Sequence, residues 1–157
     1  MSANIRAVSH IAVGVRDMAS ALRFYRDFLG LTVSLDQHER RGRERGDGSA
    51  QSGRRAVYLR LADHDDASFL VLDQQLDHEA EGGPRNLFDA GFHHVAFWAD
   101  GLDALVAAAP GAGVTIVHGP TWEDSASWGE CSGHLIRTVI FRDPDGNLVQ
   151  VDSRRDG

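Results

Sequence analysis

Two stretches of strict alternation, each followed by a helical stripe, organise the chain. Ile11, Val13 and Val15 alternate with His10, Ala12 and Gly14, the period-two pattern of a strand buried on one face. The apolar trio predicts contact with a helix. It leaves His10 on the opposite face among small residues, where a ligand has room. Met18, Ala21, Leu22, Tyr25, Phe28 and Leu29 then recur at helical spacing. Asp17 stands where an N-cap is wanted and Gly30 where a left-handed terminator is wanted. Leu31 to Leu35 predicts a second strand. Val57 to Leu61 and Ser68 to Leu72 predict two more, around a turn at Asp63-His64-Asp65-Asp66.

The pattern then repeats. His94, Ala96 and Trp98 alternate with Val95, Phe97 and Ala99, and Leu102, Leu105, Val106 and Ala109 form a shorter helical stripe. Val114 to Val117, Ile136 to Phe141 and Leu148 to Val151 predict the strands that follow, the last two flanking Asp143-Pro144-Asp145-Gly146. In that tetrapeptide proline fixes one turn dihedral and glycine relieves another. His10 and His94 lie 84 positions apart, and Met18 with Leu102, Ala21 with Leu105 and Leu22 with Val106 keep that offset. A repeat that preserves a histidine within its pattern implies a duplicated unit, each copy delivering one polar group. Each copy reads strand, helix, then three strands. The fold class is therefore α+β, one domain of two tandem modules spanning 5–73 and 91–153, joined by a linker at 74–90.

Two segments break the pattern. Asp36 to Ala56 carries clustered arginines, acids and glycines with almost nothing to bury, which reads as a solvated loop or a lid. His118 to Gly133 lies before the last hairpin. With His134 beside it, it holds His118, Trp122, Trp128 and Cys131, residues that suit either a pocket wall or ordinary packing. Cys131 and His134 form a lone C-x-x-H pair without the second pair that a zinc site needs, so they read as structural.

Composition narrows the function classes. The 157 residues carry a net charge of −7, which disfavours nucleic acid and anionic membrane surfaces as partners. No apolar run approaches the length of a membrane span, and residues 1–7 lack a signal-peptide pattern. A single cysteine fits a reducing compartment, so the expected location is the cytoplasm.

The duplicated βαβββ pattern, Ser9-His10-Ile11-Ala12-Val13, His94-Val95-Ala96-Phe97 and the run from Phe141 through Asp143-Pro144-Asp145-Gly146-Asn147 to Val149 resemble the vicinal oxygen chelate superfamily. That group contains glyoxalase I, methylmalonyl-CoA epimerase, extradiol dioxygenases, fosfomycin-resistance enzymes and bleomycin-binding proteins. The resemblance implies a cupped mixed sheet around a cavity, and a divalent metal (Fe, Zn, Ni, Mn or Co) held from the first and last strands of each module. It also implies a small-molecule substrate or ligand and a homodimer. Carried over by position, the metal ligands fall on His10, His94 and Gln150, and the matching place in the first module falls on Val71. Gln150 offers a neutral oxygen where the family supplies an anion. Neither it nor Val71 can serve as the carboxylate base of proton-transfer members. Asp73 and Asp152 lie two residues further, on the same faces by parity. Glu123 and Glu130 are alternative sources of a base. His93 is expected on the helix side as a structural residue, while Tyr58 and Arg137 are expected to point into the pocket. Two functions follow: a metalloenzyme whose metal polarises a substrate oxygen, or a metal-free protein that sequesters a drug or metabolite. A regulatory or scaffold module with a vestigial site is a third.

Overall fold

The computed structural model describes residues 4–39 and 53–154. It divides into two compact units between Glu81 and Gly82, each built on an open four-stranded mixed sheet. In the first unit the strands are β1 (His10–Val15), β2 (Thr32–Glu39), β3 (Arg54–Arg60) and β4 (Phe69–Gln75). Their spatial order is β1-β4-β3-β2, with β1 parallel to β4 and the other pairs antiparallel. The second unit contains β5 (His94–Trp98), β6 (Thr115–Asp124), β7 (Leu135–Arg142) and β8 (Leu148–Arg154). It repeats the arrangement as β5-β8-β7-β6 with β5 parallel to β8. The α+β class and the doubled βαβββ order read from the repeat are those of the structure. Among the described residues no helix is long and apolar enough to cross a membrane.

The helices form where their caps and stripes predict. Asp17 accepts a hydrogen bond from the Ser20 backbone N–H at 2.7 Å, opening α1 (Met18–Leu22). From Arg23 to Phe28 the helix widens to π geometry, and the Leu29 N–H bonds the Phe24 carbonyl at 2.9 Å. Adjacent Phe24 and Tyr25 are both buried there, their rings packed edge to face. The expected stripe contained Tyr25 but not Phe24. Gly30 closes the helix with φ near +79°, the left-handed region where a side chain is unfavourable. Gln74 at the end of β4 ties the sheet to α1, accepting from the Met18 N–H and donating to the Arg16 carbonyl. Leu70, Leu72, Val57 and Leu59 are buried on this helix-facing side. In the second unit α2 (Leu102–Ala108) covers the corresponding side. An ion pair links Asp103 on α2 to Arg137 on β7.

Several strands run further than apolar alternation indicates, β2, β3 and β6 among them. β2 and β3 extend through the polar stretches Asp36–Glu39 and Arg54–Ala56 because charged pairs join them. Arg54 bonds Glu39 directly opposite, and Arg55 bonds Asp36 on the diagonal. The rest of the expected loop, 40–52, lies outside the described residues. β6 continues past Val117 to Asp124 because the Gly119-Pro120 step is absorbed as a register shift. Gly119 has φ near +84°, and a Cβ there would sit 2.6 Å from the Thr138 carbonyl oxygen. Only glycine allows β7 to approach so closely. Much of the expected segment before the last hairpin is therefore strand. Trp122 lies on β6, and Trp128 ends a short 3-10 turn at Ser125–Trp128.

The β7–β8 hairpin is fastened from within. Asp143, 4% exposed, accepts from the backbone N–H groups of Asp145 and Asn147 and from the Asn147 side chain, at 2.7–3.0 Å. Charge-assisted bonds of this kind contribute more than neutral ones. Asp143→Ala is expected to lower unfolding stability by about 2–3 kcal/mol in urea titrations, and Asp143→Asn by less. Equal stability of Asp143→Ala and the native protein would show that the hairpin does not depend on this carboxylate.

Candidate functional site

Parallel pairing of the first and last strands decides which side chains share a face. In the first unit His10 stands opposite Phe69, Ala12 opposite Val71 and Gly14 opposite Asp73. Tyr58 and Arg54 on β3 continue that face, as do Leu35, Gln37 and Glu39 on β2. His10 is exposed and stacks on Phe69, with ring centroids 5.0 Å apart and planes 14° from parallel. Its Nδ1 lies 2.9 Å from Ser9 Oγ. Tyr58 shares this face as expected, its ring 5.7 Å from Phe69. Val71 is buried and supplies no donor atom. Asp73 is engaged by Arg54, which also grips Glu39 through two nitrogens. The bond to Glu39 and the two nearby carboxylates hold the Arg54 guanidinium above its ordinary pKa, against the opposing effect of burial.

The second unit has the same register with different chemistry. His94 stands opposite Leu148, Ala96 opposite Gln150 and Trp98 opposite Asp152. Gln150 and Asp152 in turn face Ile140 and Thr138 on β7. Val71 and Gln150 therefore occupy equivalent places, each beside the alanine two residues after the strand histidine. Gln150 is half-buried and Asp152 is 3% exposed. The Gln150 Nε2 donates to both Asp152 oxygens at 3.0 Å each, and the Thr138 hydroxyl donates to Asp152 Oδ1. The amide is thereby oriented, since a carboxylate only accepts. Among the described residues Gln150 Oε1 receives no hydrogen bond.

His93 departs from expectation. Its side chain does not join the helix-facing side but meets His94, with the two Nδ1 atoms 2.8 Å apart and ring centroids 4.6 Å apart. The residue precedes β5, so strand parity does not govern it. One Nδ1 must carry the proton and the other accept it, which leaves Nε2 of His94 unengaged among the described residues. Burial, then the neighbouring His93, holds the His94 pKa below its usual value, while Asp152 acts in the opposite sense. The ring is thereby kept neutral, the form that ligates metals.

Arg137 is a second correction. Pairing with Asp103 and lying 5.5 Å from the Trp122 ring, it belongs to the helix-facing side and not to the pocket face. A long side chain at an odd register position on β7 follows Val139 and Phe141 toward α2. Glu130 is occupied by Arg154, which also covers Trp98 at 4.4 Å from the ring. A cavity of about 410 Å³ beside that pair is lined by Trp98, Ala99, Asp100 and Arg154. Glu123 and His118 lie on β6 opposite Ile136 and Ile140, in the rows of the Gln150 face. Cys131 is exposed. Among the described residues no three His, Cys, Asp or Glu side chains gather into a metal-binding cluster. The Asp152–Thr138 partnership is the part that sequence reasoning missed, because a threonine amid the apolar β7 gives no sign of the carboxylate opposite it.

The depressed His94 pKa carries a sign. The unfolded chain binds this proton more readily than the folded one, so the stability contribution is complete above about pH 6.5 and declines as pH falls below it. Melting temperatures measured from pH 7.5 to 5 are expected to fall less steeply for His94→Gln than for the native chain. Superimposable profiles would remove His94 as a source of the dependence.

The family model described as Glyoxalase/Bleomycin resistance protein/Dioxygenase superfamily matches residues 7–151. Comparison with curated proteins finds no match. Among solved structures, a glyoxalase family protein from Bacillus cereus is similar at 15% identity and TM-score 0.77, with 99% of each chain covered. A glyoxalase/dioxygenase from Nostoc punctiforme is similar at 22% identity and TM-score 0.63, covering 98% of this chain and 94% of that one. An integron cassette protein from the mobile metagenome of V. cholerae is 25% identical with TM-score 0.59, covering 98% of each.

Proposed function

Because the chain belongs to the glyoxalase/bleomycin resistance protein/dioxygenase superfamily, we propose that it is a small-molecule metalloenzyme using the β5–β8 face of its second unit. The observation that carries this reading is the complementary occupation of His94 and Gln150. Partners engage His94 Nδ1 and Gln150 Nε2; with the shared proton on His94 Nδ1, one imidazole nitrogen and one amide oxygen stand as donors along one face. That pair fits a borderline divalent ion such as Zn, Ni, Co, Mn or Fe. His10 presents the equivalent imidazole on the first unit. When bound, the metal would supply Lewis acidity at a substrate oxygen.

The chain's own residues set limits on the chemistry. Burial keeps His94 neutral, and Ala96 between His94 and Trp98 leaves room above the sheet. Val71 and Gln150 hold the places equivalent to one another and neither can take a proton from carbon. The hydrogen bond from Arg154 holds the Glu130 carboxyl below its ordinary pKa, which makes it a poor base, and Asp73 is tied to Arg54. A reaction that needs polarisation of the substrate more than a strong protein base is the one this face favours.

A metal-free binding protein is the second reading. Val71 favours it by withdrawing a donor from the first unit. Trp98, 54% exposed on the same face as His94, offers a ring for stacking.

Elemental analysis and calorimetric titration of the untagged protein separate the two. About one divalent ion per chain is expected, with affinity weakened at least tenfold in His94→Ala and measurably in Gln150→Ala. His10→Ala tests whether the first unit takes part. Absence of binding for Zn, Ni, Co, Mn and Fe alike would sink the metalloenzyme reading in favour of the binder.

A further inference from the structure

We infer that Asp152 is a positioning residue that holds the Gln150 carboxamide with Oε1 toward the open face, so that Gln150 presents only an acceptor beside His94. The inference rests on reading Gln150 as a binding residue. A glutamine amide can present either end, and the two orientations have nearly the same shape. Only its hydrogen-bonding environment distinguishes them. Here the environment is a carboxylate that is 3% exposed. Both Asp152 oxygens receive the Gln150 Nε2 at 3.0 Å. The opposite orientation would set Oε1 against those oxygens, acceptor against acceptor.

Asp152 is itself fixed. Thr138, also buried, stands directly opposite on β7 and donates its hydroxyl to Oδ1. No arginine or lysine side chain pairs with Asp152 among the described residues. Its hydrogen-bond partners are a hydroxyl and an amide, and burial makes each costly to lose. The arrangement is directional, running from Thr138 and Asp152 to the Gln150 amide and outward to Oε1. Metal-ligating side chains are held by such outer partners, and removing the partner weakens binding without touching the donor atom.

A consequence follows for this chain. Gln150→Glu, which would install a carboxylate at the candidate donor position, brings two carboxylates into contact, the buried Asp152 lying between Thr138 and the new side chain. One of them must take a proton or turn away. Pairing it with Asp152→Asn restores a donor facing an acceptor, with the roles exchanged.

Two measurements on the metal-free protein decide the matter. In nitrogen-15-labelled protein the Gln150 side-chain amide protons are expected to exchange slowly with solvent. In Asp152→Ala they are expected to exchange at the rate of a free glutamine, and Asp152→Asn should restore part of the protection. In thermal melts Gln150→Glu is expected to unfold at a lower temperature than Gln150→Glu/Asp152→Asn, a comparison that holds even if Asp152→Ala does not fold. Equal exchange in native and Asp152→Ala protein, or a single variant as stable as the double, would overturn the inference. Zinc titration adds the functional arm: affinity of Asp152→Ala about tenfold or more below native supports positioning, and unchanged affinity overturns it. Should the native protein bind no zinc at all, the metal reading fails by itself, while the amide exchange and the melts still decide whether Asp152 orients Gln150.

Discussion

The parallel pairing of the first strand of each unit with its last strand is the constraint on which everything else depends. Parallel partners need a long crossover between them, and in each unit a helix and two antiparallel strands provide it. The pairing sets a histidine at the start of one strand opposite the first residue of the other, and so on the same face as the residue two further along. Register then does the selecting. His94 and Gln150 share a face because Ala96 stands opposite Gln150, and a one-residue slip of β8 would turn Gln150 and Asp152 toward α2. The internally bonded turn at Asp143, immediately before β8, protects that register. The turn is thus part of the site although it carries none of its donor atoms.

The two units handle a carboxylate in the same relative position by different means. In each, an aspartate lies two residues beyond the place beside the alanine. In the first unit Asp73 meets a full positive charge, and Arg54 couples it to Glu39 across two strands. This network knits β2, β3 and β4 together where their apolar content is low. In the second unit Asp152 meets only neutral donors and is more deeply buried. Held by these neutral donors, it orders the amide in front of it and opposes the lowering of the nearby His94 pKa. The duplicated scaffold thus carries one stabilising carboxylate and one orienting carboxylate.

Much of this was legible in the chain because alternation and a repeat are both periodic signals. Among the described residues the strands, α1 and α2, the Asp17 cap, the Gly30 terminator and the Asp143 turn follow from spacing and turn chemistry. What escaped detection was held by pairing rather than by pattern. The polar extensions of β2 and β3 are stabilised by Arg54–Glu39 and Arg55–Asp36, which are remote in sequence. β6 crosses Gly119-Pro120 by a bulge whose close approach only β7 reveals. Parity failed at His93 because it stands outside the strand, and at Arg137 because the register of β7 was open by one residue. The candidate donors were visible as a histidine and a glutamine. Their orientation was not, since it depends on Asp152 and Thr138 meeting across a ladder.

Orientation is what allows a neutral amide to stand where an anion would otherwise be placed. A carboxylate presents an acceptor whichever way it turns, and its charge alone attracts a cation. An amide has no net charge and is as ready to donate as to accept, so an unfixed Gln150 would spend part of its time turning N–H groups toward a cation. The Asp152 carboxylate removes that alternative and polarises the amide, drawing electron density toward Oε1 through the Nε2 bonds. Part of the missing negative charge is thus supplied from one layer further back, where it cannot act as a base on a substrate. A face built this way can coordinate and polarise without abstracting protons, and that distinction separates it chemically from a site with a carboxylate in direct contact.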